Sequence, residues 1–81
     1  MEMQNNFATS DFWLAATLMA LGEQLIDVDR SGGGVRAEFV FVFSASLERG
    51  IEGYKRGTLR LEPQNLYVQT KLLKNRLHSN Y

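Results

Sequence analysis

The chain has 81 residues, of which 44% are apolar and 22% charged, with one proline and no cysteine. That balance belongs to a single globular domain rather than a disordered chain; the lack of cysteine excludes a disulfide framework and a thiolate metal site and suits a reducing, cytoplasmic setting. Net charge is zero but unevenly spread: residues 1–52 carry eight acids against Arg30, Arg36 and Arg49, and residues 53–81 carry Glu62 against six bases. This asymmetry either complements itself, within the fold or between copies, or presents a basic half to an anionic partner.

Residues 1–6, Met-Glu-Met-Gln-Asn-Asn, lack the positive n-region of a secretion signal and read as a flexible polar arm ahead of one domain over residues 7–78. Phe7 to Asp11 is expected to open the first helix, with Thr9 or Ser10 as N-cap and Asp11 in the first turn. Phe12 to Leu21 is apolar nearly all round and ends at Gly22, the pattern of a helix buried on most sides and closed by a glycine cap. Interrupted only by Thr17, this ten-residue run is too short to span a bilayer, so no membrane partner is expected.

From Gln24 to Arg30 the residues alternate, with Ile26 and Val28 on one face, Asp27 and Asp29 on the other, and Leu25 out of step. Ser31-Gly32-Gly33-Gly34 then leads into a second strand, which predicts an antiparallel hairpin. The glycines are not placed for phosphate binding, which needs a glycine loop running into a helix N-terminus.

Val35 to Phe43 is the strongest signal in the chain. Val35, Ala37, Phe39, Phe41 and Phe43 fall on one face, while Arg36, Glu38, Val40, Val42 and Ser44 fall on the other. From Phe39 onward both faces are apolar, so a helix, another sheet or a second copy must cover the second side. Val40 and Val42 are the candidate self-association residues, and a homodimer is the expected partner. The competing expectation is a monomer whose third helix wraps to that face.

Ser44 or Ser46 caps a second helix running to about Tyr54 or Arg56, with Leu47, Ile51 and Tyr54 as its inner stripe and Gly57 as its stop. Thr58-Leu59-Arg60-Leu61 alternates and predicts a short edge strand added to the hairpin. Pro63 starts a third helix, with Glu62 as its cap and Leu66, Thr70, Leu73 and Leu77 as its buried stripe. Residues 79–81 are expected to fray. The order is α-β-β-α-(β)-α, an α+β fold of two layers with a small antiparallel sheet packed by helices.

With these residues in view, the chain resembles a family of short bacterial and phage proteins grouped as a domain of unknown function. The resemblance spans about residues 7–78 and rests on Thr9-Ser10-Asp11, Leu14-Ala15-Ala16, Gly22, the aromatic strand ending at Phe43, Tyr54, Gly57, Leu59-Arg60-Leu61 before Pro63, and Leu73-Lys74 with Arg76-Leu77. It departs from the family at Glu62, where Asp tends to precede Pro, and at Lys55, where an aromatic often follows the Tyr. It implies a fold and carries over no catalytic residue.

The chemistry expected is correspondingly spare. His78 has no neighbour to orient it as a base, and no nucleophile–base pair, metal set or cofactor motif is visible, so the reading is a non-catalytic protein without cofactors. Asp27 and Asp29 share a strand face, as paired carboxylates would, but Arg30 and Arg36 nearby favour a solvated charged edge. Two functions follow: a protein–protein interaction or accessory module that self-associates, or a nucleic-acid-binding protein using Lys55, Arg56, Arg60, Lys71, Lys74 and Arg76 with Tyr54 or Tyr67 to stack a base.

Overall fold

The computed structural model describes residues 5–30 and 37–78, and its elements run β1 (Asn6–Thr9), α1 (Phe12–Ala20), β2 (Leu25–Asp29), β3 (Glu38–Val42), α2 (Ala45–Arg56) and α3 (Pro63–His78). The three strands form one antiparallel sheet in the order β1-β3-β2, so β3 is central and pairs on both sides. Three helices and a small antiparallel sheet make this an α+β fold, as expected. One strand, however, stands where helix was predicted.

That strand is β1. Asn6, Phe7, Ala8 and Thr9 pair with Val42, Phe41, Val40 and Phe39, and the Phe43 amide donates to Asn5 O at 3.0 Å. Asn5 and Asn6, predicted to belong to a flexible arm, are therefore engaged with the sheet; residues 1–4 lie outside the described residues, as do the predicted frayed end at 79–81 and the Ser31–Gly34 turn. The helix begins later than predicted because Asp11, not Thr9 or Ser10, is its N-cap. One carboxylate oxygen of Asp11 accepts from the amides of Trp13 and Leu14 at 3.0 and 3.1 Å, satisfying two donors the helix cannot satisfy itself. Thr9 Oγ1 instead accepts from the Asp11 amide.

Gly22 closes α1 as predicted. At φ +94° it lets its own amide reach Met19 O while the Glu23 amide reaches Leu18 O, each at 3.0 Å, the paired bonds of a Schellman turn. Five consecutive residues of α1, Leu14 to Leu18, are buried. The helix packs against the inner face of the sheet and against both other helices, and this wide burial is what its all-round apolar sequence required.

β2 shows why Leu25 was out of step. Leu25 pairs with Phe41 and Asp27 with Val40, so Ile26 is an extra residue, a bulge. The insertion puts Leu25 with Val28 against the core and leaves Ile26 41% exposed, so Ile26 does not share a buried face with Val28 as the simple alternation implied. In β3, Phe39 and Phe41 are buried and Val40 and Val42 are on the other side, as predicted.

Ser44 caps α2 by accepting from the Leu47 amide at 3.0 Å, and Gly57 at φ +69° ends it. Its inner stripe holds, with Leu47 buried and Ile51 and Tyr54 against the core, but the face also contains Gly50 and Gly53, both buried. The predicted strand at Thr58–Leu61 does not form. The Thr58 amide is spent on Gly53 O at 3.0 Å and Leu59 folds onto Gly53, which holds the segment against α2. The third strand of the sheet is β1.

α3 starts at Pro63, with Glu62 Oε1 accepting from the Asn65 amide at 3.0 Å. Its stripe of Leu66, Thr70, Leu73 and Leu77 is the one predicted. Asn65 Nδ2 donates to Ala20 O at 2.9 Å, and Arg30 Nη1 to Leu77 O at 2.6 Å. The first bond ties the start of α3 to the end of α1, and the second ties its last turn to the end of β2. The two helices therefore lie antiparallel. Leu14, Ala15, Ala16, Leu18, Phe39, Phe41, Leu47 and Leu73 form a single core beneath the sheet.

Candidate functional site

The register of the sheet decides what its second face carries. Phe7 and Thr9, Phe39 and Phe41, and Leu25 and Val28 point to the helices; Asn6 and Ala8, Glu38, Val40 and Val42, and Asp27 and Asp29 point the other way. All three helices contribute to the core under Phe39 and Phe41, and Val40 and Val42 take no part in it. No described element covers this outer face. Leu66, Leu73 and Leu77 place α3 on the inner side, which overturns the expectation that it wraps to the outer one.

The outer face is graded across the strands. On the β1 side it is uncharged, with Asn6 beside Val42 and Ala8 beside Val40. On the β2 side it is acidic, with Asp27 beside Val40 and Asp29 beside Glu38. Asp27 and Asp29 do share a face, as predicted, but no group of three or more His, Cys, Asp or Glu among the described residues is placed to hold a metal ion.

The six predicted basic residues are spread over α2, the connection after it and α3. Lys55 and Arg56 are exposed at the end of α2, where Arg56 Nε pairs with Glu52 Oε1 at 3.3 Å. Arg60 is exposed in the connection to α3. Lys71 and Lys74 fall on one face of α3 with Tyr67 and His78, since residues three, four and seven apart share a side of a helix. Arg76 falls on another flank. Tyr67 is 63% exposed, and Lys71 Nζ lies 5.4 Å from its ring centroid, in cation–π range. Tyr54 packs against the core and is not a free stacking platform.

None of the six bases is on the outer sheet face. A second copy laid on that face through the same face therefore cannot set the basic half of one chain against the acids of the other, as the charge asymmetry suggested.

Among the described residues two depressions are open to solvent. An open depression of about 530 Å³ runs along α2 between Glu48, Glu52, Arg49 and Arg56, and one of about 240 Å³ lies between Leu21, Glu23, Arg49 and Leu59. Neither gathers convergent groups around an enclosed apolar pocket, the usual form of a small-molecule site. Glu23 accepts from Ser46 Oγ at 2.7 Å and Ser44 Oγ at 3.3 Å, fastening the start of α2 to the segment before β2. No helix among the described residues is long and apolar enough to cross a membrane.

Two features of the site were not anticipated from sequence: the edge of β1 at Asn6 and Ala8, which no other described strand pairs with, and the grouping of Tyr67 and His78 with Lys71 and Lys74. The second is visible in the helical spacing of those residues. The first needs the partner strand, 36 residues away. Comparison with family models, with curated protein sequences and with solved structures gives no match to this chain.

Proposed function

We propose that this protein is a small non-catalytic interaction or accessory module that self-associates, and that its docking surface is the outer face of the sheet around Val40 and Val42. The observation that supports this is the one-sided packing: three helices share one core under Phe39 and Phe41, while the opposite face presents two valines with no described element over them. Leaving such a face in water forfeits apolar burial that a partner would supply. A cytoplasmic setting fits the absence of cysteine, and membership in the family of short bacterial and phage proteins fits the caps and core positions on which the resemblance rests.

Sedimentation equilibrium of wild type and Val42→Asp tests the reading. A wild-type assembly that loses mass in a folded Val42→Asp supports it, because a carboxylate in a dry contact is costly. A wild type monomeric at high micromolar concentration overturns it.

A second reading, nucleic-acid binding, is favoured by one observation: Tyr67, Lys71, Lys74 and His78 line one exposed face of α3. Basic side chains beside an exposed ring follow the pattern of single-strand binding surfaces.

A further inference from the structure

We infer that two copies pair along β1, edge to edge about a two-fold axis at Phe7, and build a continuous six-stranded sheet. This rests on the self-association reading and names a contact that reading does not contain.

The backbone of β1 points the way. The Phe43 amide bonds to Asn5 O, and the Val42 amide bonds to Gln24 O on the opposite side. Backbone groups alternate in an antiparallel ladder, so Asn5, Phe7 and Thr9 address β3 while the N–H and C=O of Asn6 and Ala8 face away from it. Among the described residues β3 is the only strand that pairs with β1, so no described strand takes up those groups.

This edge is self-complementary. With the two-fold axis at Phe7, Asn6 of one copy opposes Ala8 of the other, and the outward groups of both residues close two hydrogen-bonded rings. Phe7 then opposes its own copy at a non-hydrogen-bonded position, where Cα atoms approach to about 4.5 Å and side chains meet most closely. Phe7 points to the core side and is only half-buried, so an aromatic pair at that position completes its burial. Nothing charged lies along β1 to oppose the contact.

The other edge is protected. β2 carries the bulge at Ile26 and the carboxylates Asp27 and Asp29, two devices that keep strands from adding. β1 carries neither. Area points the same way. Three strands of about five residues present an outer face of roughly 250 Å², from strand spacing and rise, against about 800 Å² per partner in a standard interface. Joining two copies along β1 doubles that face and places Ala8 and Asn6 of both chains at its centre.

The test is an amide-exchange series on wild type over protein concentration, together with sedimentation of Ala8→Pro and Val42→Asp. Ala8→Pro removes an N–H that β3 does not use, and proline is tolerated on an edge strand whose N–H faces outward. The expected result is a wild-type assembly in which the Asn6 and Ala8 amides exchange slowly at high concentration and fast on dilution, with Phe7 and Thr9 slow throughout. Ala8→Pro should halve the mass with Phe7 and Thr9 still protected, and Val42→Asp should lose the mass contributed by the outer-face contact yet keep the concentration-dependent protection of an edge-paired dimer. Fast exchange at Asn6 and Ala8 in samples that sediment as dimers overturns edge pairing. If Val42→Asp then dissociates them, docking through the outer face survives without it. A monomeric wild type overturns both, and if Ala8→Pro does not fold, the wild-type series decides alone.

Discussion

Leu59 lies directly on Gly53: a Cβ at residue 53 would stand 2.6 Å from Leu59 Cδ2 and 2.9 Å from its Cγ. Helix propensity alone favours alanine over glycine by about 1 kcal/mol. The contact reverses the sign. Gly53→Ala is expected to destabilise by about 1–3 kcal/mol, the usual cost of overpacking. In a Leu59→Ala background the same change should become neutral or stabilising, and urea midpoints of the four proteins in this cycle measure the coupling.

Leu18 is fully buried beside Leu14, Phe41 and Leu73, and its Cδ2 also approaches the backbone of α2 at Gly50. Leu18→Ala should therefore cost about 2–5 kcal/mol, the sum of lost transfer and the cavity left behind. A lowered denaturation midpoint at unchanged m-value is the expected outcome. An unchanged midpoint would remove Leu18 from the core.

Asp11→Ala leaves the amides of Trp13 and Leu14 without their shared acceptor. The expected loss is about 0.5–2 kcal/mol, and Asp11→Asn should recover most of it because an amide oxygen caps nearly as well. Thr9→Ala removes an acceptor from the Asp11 amide but not the cap, so thermal melts should rank it milder than Asp11→Ala.

If α3 meets nucleic acid, Lys71→Gln and Lys74→Gln should weaken binding more than Arg76→Gln, since only the first two share the face of Tyr67. Each lost phosphate contact should reduce the slope of log K against log salt by about 0.9 on duplex DNA and about 0.7 on single strands. Wild type that binds neither DNA nor RNA at low salt ends this reading.

Legibility from sequence followed the range of the forces involved. The stripe Leu66, Thr70, Leu73, Leu77 and the inward Phe39 and Phe41 were readable because burial periodicity is written in neighbouring residues. Gly22 and Gly57 were readable because both close a helix in the left-handed region. Ile26 was not, since a period-two reading cannot show an inserted residue until the partner strand fixes the register. β1 was hidden because Thr9, Ser10 and Asp11 are all good caps, and only geometry selects the third. At Leu59, alternation looked like a strand, but the glycine beneath it belonged to a helix. The outer-face valines were legible as a demand for cover; the fold shows that no described element meets it.

The sheet also carries a kinetic signature. Asp29 meets Glu38 across nine residues of chain, but the nearest β1 pair, Thr9 with Phe39, spans 30, nearly two doublings of loop length and about 1 kcal/mol more closure entropy. Closing β3 onto β2 is the cheaper first step, so the hairpin is expected to nucleate and the first strand of the chain to zip on last. Its short ladder is then the first to open in native-state fluctuations, and destabilising changes confined to Asn6–Thr9 should speed unfolding while leaving the folding rate nearly untouched.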